Sequence, residues 1–338
     1  MTKWLSDTDY NDVVVSTRIR VARNLRDHPF PIYADQQEAR KVLEIVRDAI
    51  DSSFEEGSFR HFEMSSLESR ERMRLMEEHL ISPVLVEQSE KSGFSVRDDE
   101  KVTIMVNEED HIRLQTLLPG LALAEGWGLC SQVDDALEDK LDYAFDGEYG
   151  YLTACPTNTG TGLRASVMLH MPAVSITGHI GGIIDALKKI GLTIRGIYGE
   201  GTEAVGHLYQ VSNQLTLGET EEEILEKLER VVHQLIRRER NTRLFLLDKK
   251  NLELQDRVYR ALGALRYART ISSREAMELI SVIKLGCDVS LLEDYNGSDL
   301  IREMIEIKAG SIQSGYGRAM SQAERDMLRA ELLREYFN

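Results

Sequence analysis

The sequence predicts a mixed α/β domain followed by a small, mostly helical C-terminal domain. Strand-like and helix-like stretches alternate up to about residue 245, and strand-like stretches almost vanish after it. The predicted strands cover residues 13–21, 58–63, 101–107, 150–156, 165–172 and 192–199. The predicted helices of the first domain cover residues 35–50, 67–80, 133–145 and 180–190. We expect the two domains to comprise residues 1–243 and 244–338.

Short-range patterns support these elements. The β-branched run VVV at 13–15 favours a strand. Helices are indicated by apolar residues at helical spacing and by capping boxes, in which Ser or Thr is followed three residues later by Glu. The boxes pair Thr220 with Glu223, Ser272 with Glu275 and Ser321 with Glu324. They predict that three helices start at these positions.

The composition excludes several classes of protein. The 41 Lys and Arg residues against 57 Asp and Glu residues give a net charge of −16, which argues against a nucleic-acid-binding surface. The 3 cysteines are an odd number without metal-ligand spacing, which suits a reducing compartment. The sequence has no apolar run of the roughly 18 residues that span a membrane. We expect a soluble, cytoplasmic protein that binds neither membranes nor nucleic acid.

An arginine pair near the start raises the question of an anion site. In VVVSTRIRVAR, residues 13–23, Arg18 and Arg20 are two residues apart on a predicted strand, so they share one face. Two guanidinium groups side by side repel each other. Either nearby carboxylates neutralise a solvated strand face, or an anion binds between the two arginines. The strand by itself leaves both interpretations open.

Three further segments add arginines beside glycines or acids. These are NEEDHIR at 107–113, CPTNTGTGLRASVM at 155–168 and RGIYGEGTE at 195–203. Taken singly, they also fit an acidic hairpin tip, a buried core cysteine and a tight turn. Taken together, they give five arginines near predicted strand ends, a set that suits a triphosphate because arginine binds phosphate bidentately and keeps its charge. The sequence contains neither GxxxxGK[ST] nor GxGxxG, so a Walker loop and a Rossmann site are excluded.

In their order and spelling, STRIR, NEEDHIR, CPTN.GTGLRAS and RG.YGE resemble the ATP:guanidino phosphotransferases, the family that includes arginine and creatine kinases. The resemblance covers about residues 12–243 and implies an α+β fold of the phosphagen-kinase type, with an antiparallel sheet flanked by helices. It implies that ATP and Mg²⁺ are used, with the matching arginines around the phosphates. The residues that the resemblance assigns to ATP are Ser16, Thr17, Arg18, Ile19, Arg20, His79, Arg113, Arg164, Ala165, Ser166, Val167, Met168, Arg195, Gly196, Ile197, Tyr198, Gly199 and Glu200.

The resemblance also implies three catalytic residues. Glu109 and Glu200 match the two carboxylates that clamp the guanidinium being phosphorylated. Glu109 is our choice for the base, because a guanidinium is a poor nucleophile until it loses a proton. Cys155 matches a reactive cysteine whose thiolate lies beside the guanidinium. We expect no direct metal ligand, and Glu108 and Asp110 are candidates to hold Mg²⁺ through bound waters.

Two departures from the small-substrate enzymes bear on the acceptor. Those enzymes have a helical domain before STRIR that closes over free creatine or arginine, whereas only residues 1–12 precede the predicted strand here. We therefore expect the open side of the pocket to accept something larger. In addition, Met168 replaces a histidine that is usual in those enzymes, which removes a polar contact.

The predicted last helix contains RDMLRA at 325–330. Arg325 and Arg329 are four residues apart and share a face, with Asp326 beside them, which by itself is typical of a charged helix surface. The motif also resembles the RDxxRA segment of the bacterial protein arginine kinases, and this resemblance covers the whole chain. It implies that Arg325, Asp326, Arg329 and Ala330 bind phosphoarginine as a regulatory ligand.

These resemblances imply a kinase that transfers the γ-phosphoryl group of MgATP to arginine side chains of proteins. They further imply that substrates are marked for a Clp-type unfoldase and protease in the stress response. A heat-shock repressor, a zinc-binding activator protein and a homodimer are the other implied partners. Two alternatives remain: a kinase for free arginine or another small guanidine, and a non-catalytic adaptor that binds phosphoarginine.

Overall fold

The computed structural model describes residues 3–5, 8, 11–198 and 204–338. Two predicted site residues, Gly199 and Glu200, lie outside the described residues. The strands are β1 Val14–Arg23, β2 Phe59–Glu63, β3 Gly93–Arg97, β4 Val102–Val106, β5 Ile112–Pro119, β6 Phe145–Asp146, β7 Gly150–Tyr151, β8 Leu163–His170, β9 Leu192–Tyr198 and β10 Ala204–Asn213. The helices are α1 Gln36–Ser53, α2 Ser69–Glu77, α3 Pro83–Glu87, α4 Leu123–Glu138, α5 Pro172–Ile176, α6 Ile180–Lys188, α7 Glu221–Lys249, α8 Asn251–Tyr267, α9 Ser273–Asp288, α10 Gly297–Glu306, α11 Ala309–Gly315 and α12 Gln322–Phe337.

An eight-stranded sheet in the order β2-β3-β4-β5-β1-β8-β10-β9 forms the centre of the fold. Its strand pairs are antiparallel, which confirms the predicted fold class. One face of the sheet is covered by α1, α4 and α7, whose apolar residues share a core with alternate residues of the strands. Ile19 and Val167, for example, are fully buried in this core. On each strand, the residues that alternate with these core residues therefore point to the other face of the sheet.

Two sequence predictions place elements wrongly. The helix predicted at 133–145 begins ten residues earlier, at Leu123, and ends at Glu138. Its first turns contain Gly126, whose missing Cβ lets the helix pack against β1, since a Cβ there would lie 3.1 Å from Ile19 Cγ1. The strand predicted at 150–156 is only Gly150–Tyr151, and the chain then forms a loop.

The capping predictions hold at two helices in full. Thr220 with Glu223 and Ser321 with Glu324 form reciprocal capping boxes at the starts of α7 and α12. Before α9, the Ser272 side chain accepts a hydrogen bond from the N–H of Glu275.

The predicted domain boundary at 243/244 lies inside α7, which ends at Lys249, and the boundary itself stays a prediction.

The helices after α7 share a second core with one end of the sheet. Leu117 and Leu208 of the strands pack there with Val258, Ile280 and other residues of α8 and α9. A buried charge network crosses the same junction: Arg243 contacts Glu239, Asp12 and Asp288, and Lys284 contacts Asp288. No helix among the described residues is long and apolar enough to cross a membrane.

Candidate active site

The five arginines singled out in the sequence lie on one face of the sheet. Directly paired residues of antiparallel strands point to the same face. The pairs that place the arginines are Arg20 with Arg164, Arg18 with Ser166, Ala22 with Arg113 and Gln210 with Arg195. The sheet therefore brings together residues from four strands that are far apart in sequence, on the face opposite the α1–α4–α7 core.

The face of the sheet that holds Arg18, Arg20, Arg113, Arg164 and Arg195, here called the arginine face, brings positive charges close together, which is electrostatically unfavourable. Burial lowers the pKa of Arg20, and the nearby charges of Arg18, Arg113 and Arg164 lower it further. The pKa of Arg164 is lowered in the same way by burial and then by Arg195 and Arg113. Because arginine stays protonated at neutral pH, these lowered pKa values reflect the cost of burying a charge and of placing it beside other positive charges, and both guanidinium groups remain charged.

Two guanidinium groups on this face also have unused donors. The Nε atoms of Arg20 and Arg164 are buried and have no hydrogen-bond partner within the described part of the chain. A buried N–H without a partner is destabilising, so native proteins rarely leave one. A polyphosphate would neutralise the clustered positive charge and accept hydrogen bonds from these buried N–H donors. The residues therefore fit the predicted nucleotide.

A pocket beside Arg18 gathers several of the predicted ATP-binding residues. Ser16, Arg18, His79, Ser166 and Met168 line it together with Leu117 and Gln210. Gln210 is absent from the sequence predictions, yet its Oε1 accepts a hydrogen bond of 2.9 Å from Arg18 Nη2. Burial, with smaller contributions from Lys308 and Arg18, holds the pKa of His79 well below its usual range, so this imidazole is uncharged at neutral pH.

Other predicted ATP-binding residues do not bring their side chains to this face. Ile19, Ala165 and Val167 are fully buried in the core on the opposite face. Thr17 is also buried, where its Oγ1 donates to the Gly120 carbonyl. That these residues bind ATP stays a prediction; their side chains point away from the arginines, because alternate residues of a strand point in opposite directions. Ile197 shares the face of Arg195 on β9, but its side chain is nearly buried in the second core.

The NEEDH hairpin places its three acids in different environments. Glu108 is fully buried and forms an ion pair with Arg113, and Ser82 donates a short hydrogen bond to it. Glu109 accepts a 2.9 Å hydrogen bond from Arg113 Nη2, and its side chain stays 44% exposed. Glu109 is thus the acid of the three that an incoming group can reach.

Asp110 connects the hairpin to the cysteine loop. Its Oδ1 accepts hydrogen bonds from Asn24 Nδ2 at 2.7 Å and from the Ala154 N–H at 2.6 Å. Cys155 follows immediately, with its Sγ 3.0 Å from Thr157 Oγ1. The thiol is near enough to Arg164 to offset part of the lowering of that arginine's pKa by burial and by Arg195 and Arg113. Asp110 therefore fixes the position of Cys155 beside the arginine face.

Arg164 and Arg195 also line a small cavity of about 110 Å³ at the ends of β8, β9 and β10. Residues of the cysteine loop, Thr157 and Asn158, form its opposite wall. Thr216, which the sequence patterns do not single out, donates to the carbonyls of Thr157 and Thr159 and holds this wall in place. The arginine face and the cysteine loop thus enclose one space.

The RDMLRA segment is not an ordinary charged surface. Arg329 is 1% exposed, and its guanidinium donates to the carbonyls of Ile307 at 2.7 Å and Ile271 at 2.9 Å. Asp326 forms an ion pair with Arg329 at 2.5 Å. Ala330 is buried as well. Arg325, which is partly exposed, donates to the Met320 carbonyl.

The burial of Arg329 indicates that the charged residues of the motif have different roles. Arg329 Nε and Nη1 are already bonded to main-chain carbonyls and Asp326, so this arginine has a structural role. That Arg329 binds phosphoarginine stays a prediction, and in the structure its Nε and Nη1 already have protein partners. Arg325 and Asp326 are the members that remain accessible.

The sheet and its clustered arginines fit a protein that binds a polyphosphate. Residues 41–242 match the family described as "ATP:guanido phosphotransferase, C-terminal catalytic domain", and residues 251–338 match the "Protein-arginine kinase McsB C-terminal domain". The chain belongs to the protein-arginine kinase family of ATP:guanido phosphotransferases. This confirms the family expected from the sequence motifs.

Relatives and solved structures agree with this placement. The chain is 48% identical over 340 residues to the protein-arginine kinase of Desulforamulus reducens, covering 99% of this chain and 95% of that protein. It is 46% identical to that of Brevibacillus brevis, covering 96% and 92%. The crystal structure of a lombricine kinase superposes with a TM-score of 0.57 at 27% identity, covering 70% of this chain and 68% of that one. A duplicated taurocyamine kinase from Schistosoma mansoni gives 0.62 at 21% identity, covering 87% and 49%, and shows the fold alone.

The role of Asp110 gives a first prediction. In Asp110→Ala, the Ala154 N–H loses its acceptor, so the cysteine loop should loosen and Cys155 should react faster with iodoacetamide, by about fivefold. Mass spectrometry of the labelled peptides separates Cys155 from Cys130 and Cys287. Asp139→Ala, at the exposed end of α4, is the matched control. An unchanged Cys155 rate in a folded Asp110→Ala variant would contradict the anchoring role.

Proposed function

We propose that this protein transfers the γ-phosphoryl group of MgATP to arginine side chains of proteins. The observation that carries the proposal is the arginine face itself: five guanidinium groups gathered on one side of the sheet, with the exposed carboxylate of Glu109 bonded to one of them. The face supplies charge for the phosphates, and Glu109 supplies an acceptor for a guanidinium proton. The names of the relatives in Desulforamulus and Brevibacillus support the protein acceptor.

The arginines would hold the phosphates in line with the acceptor. Phosphoryl transfer depends mainly on positioning and on stabilising charge, which fixed guanidinium groups provide without reorganisation. Arg20 and Arg164 have buried Nε donors that point to this use. His79, uncharged and next to Arg18, would line the nucleoside side of the site together with Gln210.

Glu109 is the proposed base. The acceptor nitrogen forms a bond to the γ-phosphorus while the bond from phosphorus to the ADP oxygen breaks, and the proton on that nitrogen passes to Glu109. Arg113 orients the Glu109 carboxylate from the side. Cys155 would lie beside the acceptor guanidinium, and Glu200, outside the described residues, would hold its other nitrogens.

Magnesium would arrive with the nucleotide as part of the substrate. Glu108 and Asp110 remain candidates to contact it through waters, although both already have protein partners. Glu108 contacts Arg113 and Ser82. Asp110 accepts hydrogen bonds from Asn24 and from the Ala154 N–H. Burial raises the pKa of Asp110, and its Oδ2 has no partner among the described residues. Glu108 Oε2 also lacks a hydrogen bond to any described residue but lies in the ion pair with Arg113, so Asp110 Oδ2 is the oxygen of the two acids that is better placed to hold a water.

The wider biological role is also part of the proposal. Phosphoarginine would mark proteins for a Clp-type unfoldase and protease, with a heat-shock repressor among the substrates and a zinc-binding protein as activator. The protein would work in the cytoplasm as a homodimer. These assignments rest on family resemblance and on the match of residues 251–338 to the C-terminal domain of protein-arginine kinases.

The central test uses radiolabelled MgATP with an arginine-rich unfolded protein and, in parallel, with free arginine. We expect acid-labile label on the protein, since phosphoramidates are hydrolysed in acid whereas phosphoserine survives. Glu109→Gln keeps the size of the side chain but cannot accept the proton, so the turnover number should fall by at least about 10²-fold. Nucleotide binding should persist.

The matched control is Glu87→Gln, an exposed acid on α3 that should leave turnover unchanged. Label on free arginine alone would support the small-molecule kinase instead. Absence of label in both reactions, with phosphoarginine binding intact, would support the adaptor. Full activity of Glu109→Gln would remove Glu109 from the mechanism.

We also propose that the RDMLRA segment binds phosphoarginine through its accessible members. Arg325 would contact the phosphate and Asp326 the guanidinium, while buried Arg329 keeps Asp326 in place through their 2.5 Å ion pair. The opposite charges suit a ligand that joins an anion to a cation. Binding there would let the C-terminal helices detect the product of the reaction.

Arg325→Ala should weaken the binding of free phosphoarginine by at least about tenfold, because a charge-assisted hydrogen bond is lost. Isothermal titration calorimetry measures this directly. Arg260→Ala, which removes an exposed arginine of α8 paired with Asp256, is the control and should bind normally. Equal affinity of the two variants would exclude Arg325 from the site.

A further inference from the structure

The end of α2 lies between the nucleotide pocket and the C-terminal helices. The Glu77 carboxylate accepts hydrogen bonds from the main-chain N–H groups of Gly310 at 3.1 Å and Ser311 at 3.0 Å, at the start of α11. The buried Lys308 donates back to the Glu77 carbonyl at 3.4 Å. Residues of the catalytic domain and the C-terminal helices are thus joined through both the side chain and the main chain of Glu77.

Gly310 makes this contact unusually close. A Cβ at position 310 would lie 2.6 Å from the backbone nitrogen of Arg74 and 2.8 Å from the carbonyl carbon of Met73. Both atoms belong to the backbone of α2 and cannot move aside as a flexible side chain would. The absence of a side chain at Gly310 is therefore what allows α11 to pack against α2.

His79 follows two residues after Glu77 and lines the pocket beside Arg18, which belongs to the proposed nucleotide site. Its backbone has φ = 63°, a left-handed conformation that is costly for a residue with a side chain. Such a conformation persists only where the surroundings hold it. The His79 carbonyl accepts a 2.9 Å hydrogen bond from Gln115, and Trp4 meets the imidazole edge-on at 6.1 Å.

The same contact continues into the RDMLRA segment. Arg329 Nε donates to the carbonyl of Ile307, the residue before Lys308. The chain of contacts therefore runs from α12 through Ile307 and Lys308 to Glu77, and from there to His79 and Arg18. Each step is a hydrogen bond, a peptide link or a shared pocket wall.

We infer that the contact between Glu77 and the start of α11 positions His79 in the nucleotide pocket, so that the C-terminal helices complete the nucleotide site. Glu77 is a positioning residue: it does not line the pocket and acts through His79. The inference rests on the proposed function only in that MgATP and MgADP are the ligands. It holds for any phosphoryl acceptor.

Two glycine variants of the full-length protein test the inference. Both glycines lie in α11, but a Cβ at Gly315 meets nothing within 4 Å. Gly310→Ala should raise the KM for MgATP and the dissociation constant for MgADP by about tenfold, with kcat within about twofold of the original. Gly315→Ala should leave all three values unchanged.

A merely structural contact gives a different pattern. It would lower the melting temperature of Gly310→Ala while the folded variant still binds MgADP like Gly315→Ala, and that result would overturn the inference. If Gly310→Ala does not fold, Glu77→Gln decides. One of the two accepting oxygens becomes an NH₂ group, which donates and cannot accept, so one N–H loses its acceptor and we expect MgADP affinity to fall by about threefold. Unchanged affinity in Glu77→Gln would then overturn the inference.

The outcome is separable from that of the proposed function. If protein arginine is not the acceptor, acid-labile label on protein is absent, yet MgADP affinity still distinguishes Gly310→Ala from Gly315→Ala. If the positioning role is wrong, the protein is labelled normally and the two glycine variants bind MgADP equally.

Discussion

Repulsion among the arginines of one sheet face is the constraint on which the rest of the structure depends. Arg18, Arg20, Arg113, Arg164 and Arg195 lie together because the strand register places them there, and burial together with the neighbouring arginines lowers the pKa values of Arg20 and Arg164. Glu108 and Glu109 compensate Arg113, and Gln210 engages Arg18. The remaining charge is held in place by the apolar core on the opposite face and suits an anionic ligand.

The acids around this face divide into positioning and reacting groups. Burial removes Glu108 and Asp110 from direct contact with an acceptor and uses them to fix Arg113 and the cysteine loop. Glu109 is left exposed to meet a guanidinium. The C-terminal helices have an analogous division, since Arg329 is buried and structural whereas Arg325 is accessible. In both motifs, charged residues that look alike in the sequence have different roles because some are buried and others are exposed.

The sequence predicts many helices, strands and helix caps well, but it predicts poorly which side chains are buried and which distant residues they contact. Strand and helix periodicity and capping boxes identify β1, β4, α1, α7 and α12, because these signals depend on neighbouring residues. Strands β5 and β10 are not among the sequence predictions, and Gln210 on β10 is missed with them. The burial of Arg329 is set by carbonyls of Ile271 and Ile307, distant in sequence, so no local pattern indicates it. Motif resemblance supplies the arginine set but also includes core-facing residues such as Ile19 and Val167.

The most direct test of the account is the stability of Arg164→Met with and without MgADP. If the arginine face is strained until an anion binds, the variant should be more stable than the original protein without ligand, by about 1 kcal/mol in the free energy of unfolding. Saturating MgADP should then stabilise the original protein more than the variant, since the variant has lost a phosphate contact. A variant that is less stable without ligand, and equally stabilised by MgADP, would contradict the account.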